Sequence, residues 1–286
     1  MQVETHRGHC LCTAVSFEIT GPLTNPAACH CAMCRRWHGT LGTYTSLSLA
    51  RISLSGNEQV VWYRSSNSAE RGFCKICGSK LFWRNVGSDS IDITMGTLDT
   101  PTNLEISKHI WVTFKGDYYD IADGLPQFKG SSANAAPDKP APEITAAPAI
   151  DTHYGHCLCD KVGITVIGKM RDISQCHCHQ CRCWHGHAAA YSKARWADIT
   201  LTGREHVRWY QSSDKVRRGF CDTCGSSLFW ERNSGDTISI PAGLFEGPIS
   251  PRQKHHIFVA DKGDYYNISD NLPQFPGTSG AATLPF

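Results

Sequence analysis

The stretch CHCAMCRRWHG at residues 29–39 returns as CHCHQCRCWHG at 176–186, and three further motifs return with it. GHCLC at 8–12 recurs at 155–159. RGFCKICGSKLFW at 71–83 becomes RGFCDTCGSSLFW at 218–230, and KGDYYDIADGLPQF at 115–128 becomes KGDYYNISDNLPQF at 262–275. Each pair is separated by the same 147 residues. Four motifs repeated in one order at one offset make a tandem duplication that aligns without insertion or deletion, so the chain has to fold as two similar units. A residue shared by both copies is weak evidence of function, because a duplicate keeps what it has not yet lost. A difference between them says more.

Between the copies, residues 129–153 are rich in Ala, Pro and Ser and poor in large apolar side chains. Such a stretch buries too little to offset its ordering entropy and reads as an extended linker. The domains are then 1–128 and 154–286, the second ending in a short Gly/Pro/Ala tail after residue 275. Within each copy the segments are short, β-branched and aromatic, and punctuated by Gly, Pro, Asn or Ser: AVSFEIT (14–20), TYTSLSL (43–49), QVVWYRSS (59–66), KLFWR (80–84), SIDITMG (90–96) and HIWVTF (109–114), with HIFVAD (256–261) as the last one's counterpart. These read as strands, and only the turn around AMCRRWHG reads as helical. The expected class is all-β, with cysteines at strand ends and turns.

The 286 residues contain 15 cysteines. An odd count and C-x-C and C-x-x-C spacings argue against a disulfide framework and for metal. Each copy holds C-x-C, then C-H-C-x-x-C, then C-x-x-C-G-S. Structural zinc takes four thiolates, commonly as two short-spaced pairs, and Cys10/Cys12 with Cys74/Cys77 meets that need. Cys29, Cys31 and Cys34 remain as a set of three, the pattern of a metal site whose fourth position is open to water or substrate. The second copy repeats both sets: Cys157, Cys159, Cys221 and Cys224, then Cys176, Cys178 and Cys181. Zinc is therefore expected at two sites per domain, up to four per chain. Cys183 is left over, standing where the first copy has Arg36.

Lys+Arg 28 against Asp+Glu 26 gives a formal charge of only +2, which offers no nucleic-acid footprint and no polybasic membrane patch. No apolar run approaches the roughly 20 residues that span a bilayer. The start MQVETHRGHCLC lacks the basic and apolar regions of a secretory signal, so the expected compartment is cytoplasmic.

GHCLC, CHCAMCRR and CKICGSKL, with GTLD at 96–99 and DGLPQF at 123–128, resemble the glutathione-dependent formaldehyde-activating enzymes, a family that includes the centromere protein V type of domain. The resemblance runs through both copies and stops only in the linker and tail. It implies two tandem zinc-binding β-tent domains and a carbon–sulfur lyase-type activity in which a small thiol such as glutathione joins formaldehyde or a related carbonyl. It also implies that the C-x-C and C-x-x-C pairs hold structural zinc, while Cys29, Cys31 and Cys34, and their counterparts, hold catalytic zinc. The glycine that often follows C-x-C in the family is Thr13 in one copy and Asp160 in the other.

A zinc held by three thiolates is a weak Lewis acid, so delivery of the substrate thiol is its expected role. His38 and His185, four residues beyond the last ligand of each set, are the nearest candidates for proton transfer; as neighbours of a tryptophan in a turn they also fit a supporting position behind the ligands. Arg35, Arg36, Arg71, Arg182 and Arg218 can pair with the carboxylates of a glutathione-like substrate, or offset the charge of the thiolates. Trp37, Trp62, Phe82 and Trp83 suit the core or a pocket wall. His30 and His177, between two ligands, should point away from the metal, since neighbouring side chains in extended chain alternate faces. Cys183 fits a fourth ligand or a redox thiol. A non-catalytic zinc module for partner binding is the second reading and a redox enzyme the third. The copies are expected to pair with each other or in a homodimer.

Overall fold

The computed structural model describes residues 4–133, 135 and 151–279. The first domain runs β1 (Thr5–His9), β2 (Ser16–Thr20), β3 (Ala27–Cys29), α1 (Ala32–His38), β4 (Gly42–Ser48), β5 (Ile52–Ser55), β6 (Val60–Arg64), β7 (Ala69–Cys74), β8 (Lys80–Asn85), β9 (Ser90–Thr94) and β10 (Lys108–Ile110). The second repeats it as β11 (Thr152–His156), β12 (Gly163–Ile167), β13 (Ile173–Cys176), α2 (His179–His185), β14 (Ala189–Arg195), β15 (Ile199–Thr202), β16 (Val207–Ser213), β17 (Val216–Cys221), β18 (Ser227–Arg232), β19 (Thr237–Pro241) and β20 (Gln253–Ile257). The class is all-β, with one short α-helix per domain among the described residues. Each domain has a three-stranded sheet, β1-β2-β5 or β11-β12-β15. A seven-stranded sheet accompanies it, β10-β3-β4-β9-β8-β7-β6 or β20-β13-β14-β19-β18-β17-β16. Among the described strands the edge pairs β10 with β3 and β20 with β13 are parallel, and the other ladders are antiparallel.

β2 shows the alternation that a half-buried strand needs: Phe17 and Ile19 face the core while Glu18 and Thr20 face water. β7 escaped the sequence reading because AERGFC carries two charges, yet it is a central strand with Arg71, Gly72, Phe73 and Cys74 all buried. The expected strand HIWVTF stops at Ile110. Trp111 adopts φ 58°, and Val112–Phe114 form a single 3-10 turn; Phe258, at φ 55°, does the same before Val259–Asp261.

The stretch read as a linker is shorter at both ends. Trp111 N donates to Gly130 O at 2.9 Å, and Thr152 already pairs with Ile167 in the β11–β12 ladder. The rest of that expected linker, residues 134 and 136–150, and the end of the expected tail, 280–286, lie outside the described residues.

The domains pack on each other through exchanged segments. The KGDYY motif that follows β10 crosses to the second domain: Tyr118 joins its hydrophobic core, the Tyr118 carbonyl accepts from Gln253 N at 2.9 Å, and Asp117 accepts from Ile249 N at 2.9 Å. In return Tyr265 and Tyr266 join the first domain's core, Tyr265 O accepts from Ile106 N at 2.9 Å, and Asp264 accepts from Thr102 N and Asn103 N at 2.6 and 3.0 Å. Between the domains Trp37, Phe73, Trp184 and Phe220 form one fully buried aromatic cluster. At roughly 1.5–3 kcal/mol per buried ring, it is a major part of the joint.

Candidate functional site: two closed and two open cysteine clusters

Four cysteine clusters form among the described residues, and all fifteen thiols are free of disulfides. Cys10 and Cys12 come from the knuckle after β1, Cys74 from the end of β7 and Cys77 from the turn that follows; Cys157, Cys159, Cys221 and Cys224 repeat the set. The Cys10–Cys12 and Cys12–Cys74 sulfur separations are 3.5 and 3.8 Å, and a tetrahedron with bonds of about 2.3 Å has edges of about 3.8 Å. Val15 N donates to Cys10 Sγ at 3.3 Å, and Ser79 Oγ lies 3.3 Å from Cys77 Sγ while accepting from Leu11 N. This donor set fits a closed zinc site. Thr13 and Asp160, in the family's glycine position, both sit at left-handed backbone angles, φ 60° and 63°. That conformation is what a glycine there would relieve.

The open clusters are built where β3 meets α1 and β13 meets α2. Cys29 ends its strand, Cys31 is the N-cap of α1 and accepts from Cys34 N at 3.3 Å, and Cys34 lies in the first turn. The three sulfurs lie within 4.8 Å of one another, with Cys29 and Cys34 buried and Cys31 partly exposed; Cys176, Cys178 and Cys181 match them. Hydrogen bonds from the Cys29 and Cys31 thiols, then the Arg71 charge, hold the Cys34 sulfur well below the ordinary thiol range. Three convergent soft donors on a buried floor, one of them already biased to thiolate, fit zinc with a free fourth position.

The histidine between the ligands turns away, as alternation requires. His30 Nδ1 meets Tyr119 Oη at 2.5 Å, His30 Nε2 meets His109 Nδ1 at 2.9 Å, and His109 Nε2 meets Asp123 at 2.8 Å. Both ring nitrogens of His30 are thereby occupied. The second copy repeats the chain through Tyr266, His177, His256 and Asp270 at 2.6, 2.9 and 2.9 Å. The two chains line a cleft of about 100 Å³ between the domains.

His38 and His185 are fully buried, and burial pushes them down to about 4 and about 3. Each neutral ring donates through Nδ1 to the other's backbone carbonyl across the domain joint. Nε2 is therefore an acceptor: Tyr44 donates to His38 at 2.5 Å and Tyr191 to His185 at 2.6 Å. Tyr44 Oη also lies 3.8 Å from Cys34 Sγ and accepts from Arg71 at 3.3 Å. The histidines thus reach the sulfur only by way of a tyrosine.

The five candidate arginines all have partners inside the protein. Arg71, 1% exposed, aims both terminal nitrogens at Cys34 Sγ at 3.7 Å and lies over the Trp37 ring. Burial works against its charge and the Cys34 thiolate more than offsets that, so its guanidinium stays protonated. Arg218 does the same for Cys181 at 3.8 Å and also reaches Gln180 Oε1 at 3.3 Å. Arg35 donates to Phe114 O at 2.8 Å and the buried Arg182 to Asp261 O at 3.1 Å. Arg36 bridges the domains to Glu246 at 2.8 Å. Cys183 belongs to no cluster: its buried thiol donates to His9 O at 3.1 Å, and burial pushes it up, away from reactivity.

Tyr44, Tyr119, His109 and Asp123 were not singled out from the sequence. Their signal was recurrence, since Tyr191, Tyr266, His256 and Asp270 stand 147 residues on.

Set beside known proteins, the sequence profile described as glutathione-dependent formaldehyde-activating enzyme matches residues 5–114 and 152–261. A Schizosaccharomyces pombe protein described as an uncharacterized lyase is 30% identical over 125 residues, covering 43% of this chain and 90% of that protein. A crystal structure of a Rhodobacter sphaeroides protein aligns with 33% of this chain and 88% of its own at 28% identity, with a TM-score of 0.29. Two matches in one chain, each enclosing a closed and an open cluster, make this a tandem two-domain member of the glutathione-dependent formaldehyde-activating enzyme family.

Proposed function

We propose that the open clusters hold zinc and that the protein is a carbon–sulfur lyase-type enzyme, adding a small thiol such as glutathione to formaldehyde or a related carbonyl. The observation that carries this is the Cys34 arrangement: three sulfurs converge, Cys34 buried among them, and hydrogen bonds from the Cys29 and Cys31 thiols, then the charge of the buried Arg71 with both terminal nitrogens 3.7 Å away, favour its thiolate form. Zinc there would favour the thiolate form of an incoming thiol. In the addition, the sulfur–carbon bond forms, the carbonyl π bond breaks and the thiol proton passes to oxygen, so no oxidant or reductant is needed. Family membership and the lyase-named relative support the same class.

Within this reading Cys29, Cys31 and Cys34, with Cys176, Cys178 and Cys181, are the ligands of the open sites. Arg71 and Arg218 balance the thiolates. Tyr44 and Tyr191 stand beside them, with His38 and His185 orienting the hydroxyls. The non-catalytic alternative calls for a three-thiol cluster that binds no metal, or one closed by Cys183 or a histidine; Cys183, His30 and His177 all face elsewhere, and metal content tests the first form. Fifteen free thiols suit a reducing, cytoplasmic setting.

The test is metal content with turnover. Four zinc ions per chain are expected, and two would leave the open clusters without metal. Formaldehyde-stimulated consumption of glutathione is expected above the spontaneous rate and should vanish in Cys31→Ser/Cys178→Ser. A rate no higher than spontaneous addition would remove the proposed reaction.

A further inference from the structure

α1 carries an open-site ligand, Cys34, and three residues later Trp37, whose indole leaves its own domain. Trp37 Nε1 donates to the backbone carbonyl of Cys224, a member of the second domain's closed cluster, at 2.8 Å. Trp184 Nε1 on α2 donates in return to the carbonyl of Cys77 at 2.6 Å. Both indoles are fully buried. The link continues inward: the Arg71 guanidinium lies 5.2 Å from the centre of the Trp37 ring and holds Cys34 Sγ, and Arg218 lies 5.3 Å from the Trp184 ring and holds Cys181 Sγ. A contiguous path therefore runs from the closed cluster of each domain to a ligand of the open cluster in the other.

The closed turns are also interlocked. Gly78, beside Cys77, has φ +78°, and a Cβ there would lie 2.4 Å from the Phe220 ring; Gly225, beside Cys224, has φ +76° and stands the same 2.4 Å from Phe73. Phe73 and Phe220 each precede a closed-cluster cysteine. The carbonyl that receives each indole thus sits in a turn whose shape depends on its own four sulfurs and on the opposite domain.

We propose that each closed cluster acts in trans, as the positioning element for the open cluster of the other domain, with Trp37 and Trp184 as the connecting residues. This rests on the reading of the clusters as metal sites. The two closed clusters are then part of the functional sites without touching substrate.

The test uses the full chain carrying Cys176→Ser/Cys178→Ser, so that the first domain's open cluster reports alone. With the closed clusters zinc-filled, Co(II) is titrated into that cluster and read by its thiolate-to-metal absorption. Trp37→Phe, which keeps one aromatic ring and loses the pyrrole ring with its N–H, should weaken Co(II) binding about five-fold or more, the scale of at least one ordinary hydrogen bond. Trp184→Phe should leave it within about two-fold. Equal effects of the two, or none from Trp37→Phe, overturn the proposal. A second arm needs no tryptophan change: hydrogen exchange of α1 should quicken more in Cys224→Ser than in Cys77→Ser, and an equal or reversed effect overturns it. Absence of any Co(II) signal in the parent would instead remove the metal reading, and the exchange arm would still decide the coupling between domains.

Discussion

Glu70 and Arg217 occupy the same position of the two copies with opposite charge, and each has its partner inverted too. Glu70 accepts from Arg84 at 2.9 Å, and Arg217 donates to Glu231 at 2.6 Å. Whichever strand carries the arginine, its guanidinium covers a tryptophan, Arg84 over Trp62 at 3.8 Å and Arg217 over Trp209 at 4.2 Å. The pair has been reversed as a unit. Glu70→Arg alone should cost about 1 kcal/mol, since it sets a third arginine beside Arg84 and Arg64 on a partly exposed ladder; Glu70→Arg/Arg84→Glu should restore most of that, leaving only the exposed Arg64 contact unpaired. Urea denaturation of the three chains checks this, and a double variant no better than the single one would contradict it.

Thr13 is a β-branched residue held at φ 60° in the C-x-C knuckle. Replacing it with glycine should stabilise the first domain by about 1 kcal/mol, because relief of left-handed strain outweighs the added chain entropy. Thr13→Ala, which keeps the Cβ, should gain less. Melting temperatures of the two variants in one zinc-loaded buffer decide the matter.

Gly78 has no room for a side chain. A methyl there would meet the Phe220 ring at 2.4 Å and force a left-handed alanine. Gly78→Ala should destabilise by about 3 kcal/mol or more and loosen the domain joint along with the closed cluster. Gly87→Ala, also at positive φ but with open space around it, should cost about 1 kcal/mol. A comparable loss in both would mean that backbone angle alone matters.

Acid should undo the protein partly through its buried histidines. His38 and His185 are held neutral by burial, at about 4 and about 3, whereas an unfolded histidine titrates near about 6.5. A depressed folded value means that the unfolded state takes up protons first. The contribution is intact above about pH 6.5 and fades as pH falls towards 4 and then 3, by an amount on the order of 3 kcal/mol each at pH 4. His38→Asn/His185→Asn should give a shallower fall in melting temperature between pH 6.5 and 4 than the parent, and parallel curves would count against the assignment.

The repeat and its offset were legible in the sequence because the copies align without gaps, and the cysteine sets were legible because ligand spacing is local. The strands with alternating apolar residues were also found. β7 was missed because the charged pair Glu70 and Arg71 interrupts the apolar pattern, when Arg71 is buried against the Cys34 sulfur from a distant part of the chain. Of the two roles expected of the arginines, offsetting thiolate charge suits where Arg71 and Arg218 lie, whereas pairing with a substrate depends on exposure, which no spacing encodes. Tyr44 carried no motif, and its importance comes from a hydrogen bond to His38 that forms only once β4 folds back on α1.

Tyr118 completes the core of the second domain, and Tyr265 that of the first. Cut between its copies, the chain would yield two halves, each exposing a socket and offering a plug for the other. Neither half can be discarded, so a copy whose chemistry fades is retained for its architecture. Position 36 against 183, Arg36 in one copy and Cys183 in the other, is one place where the copies differ without touching that exchange.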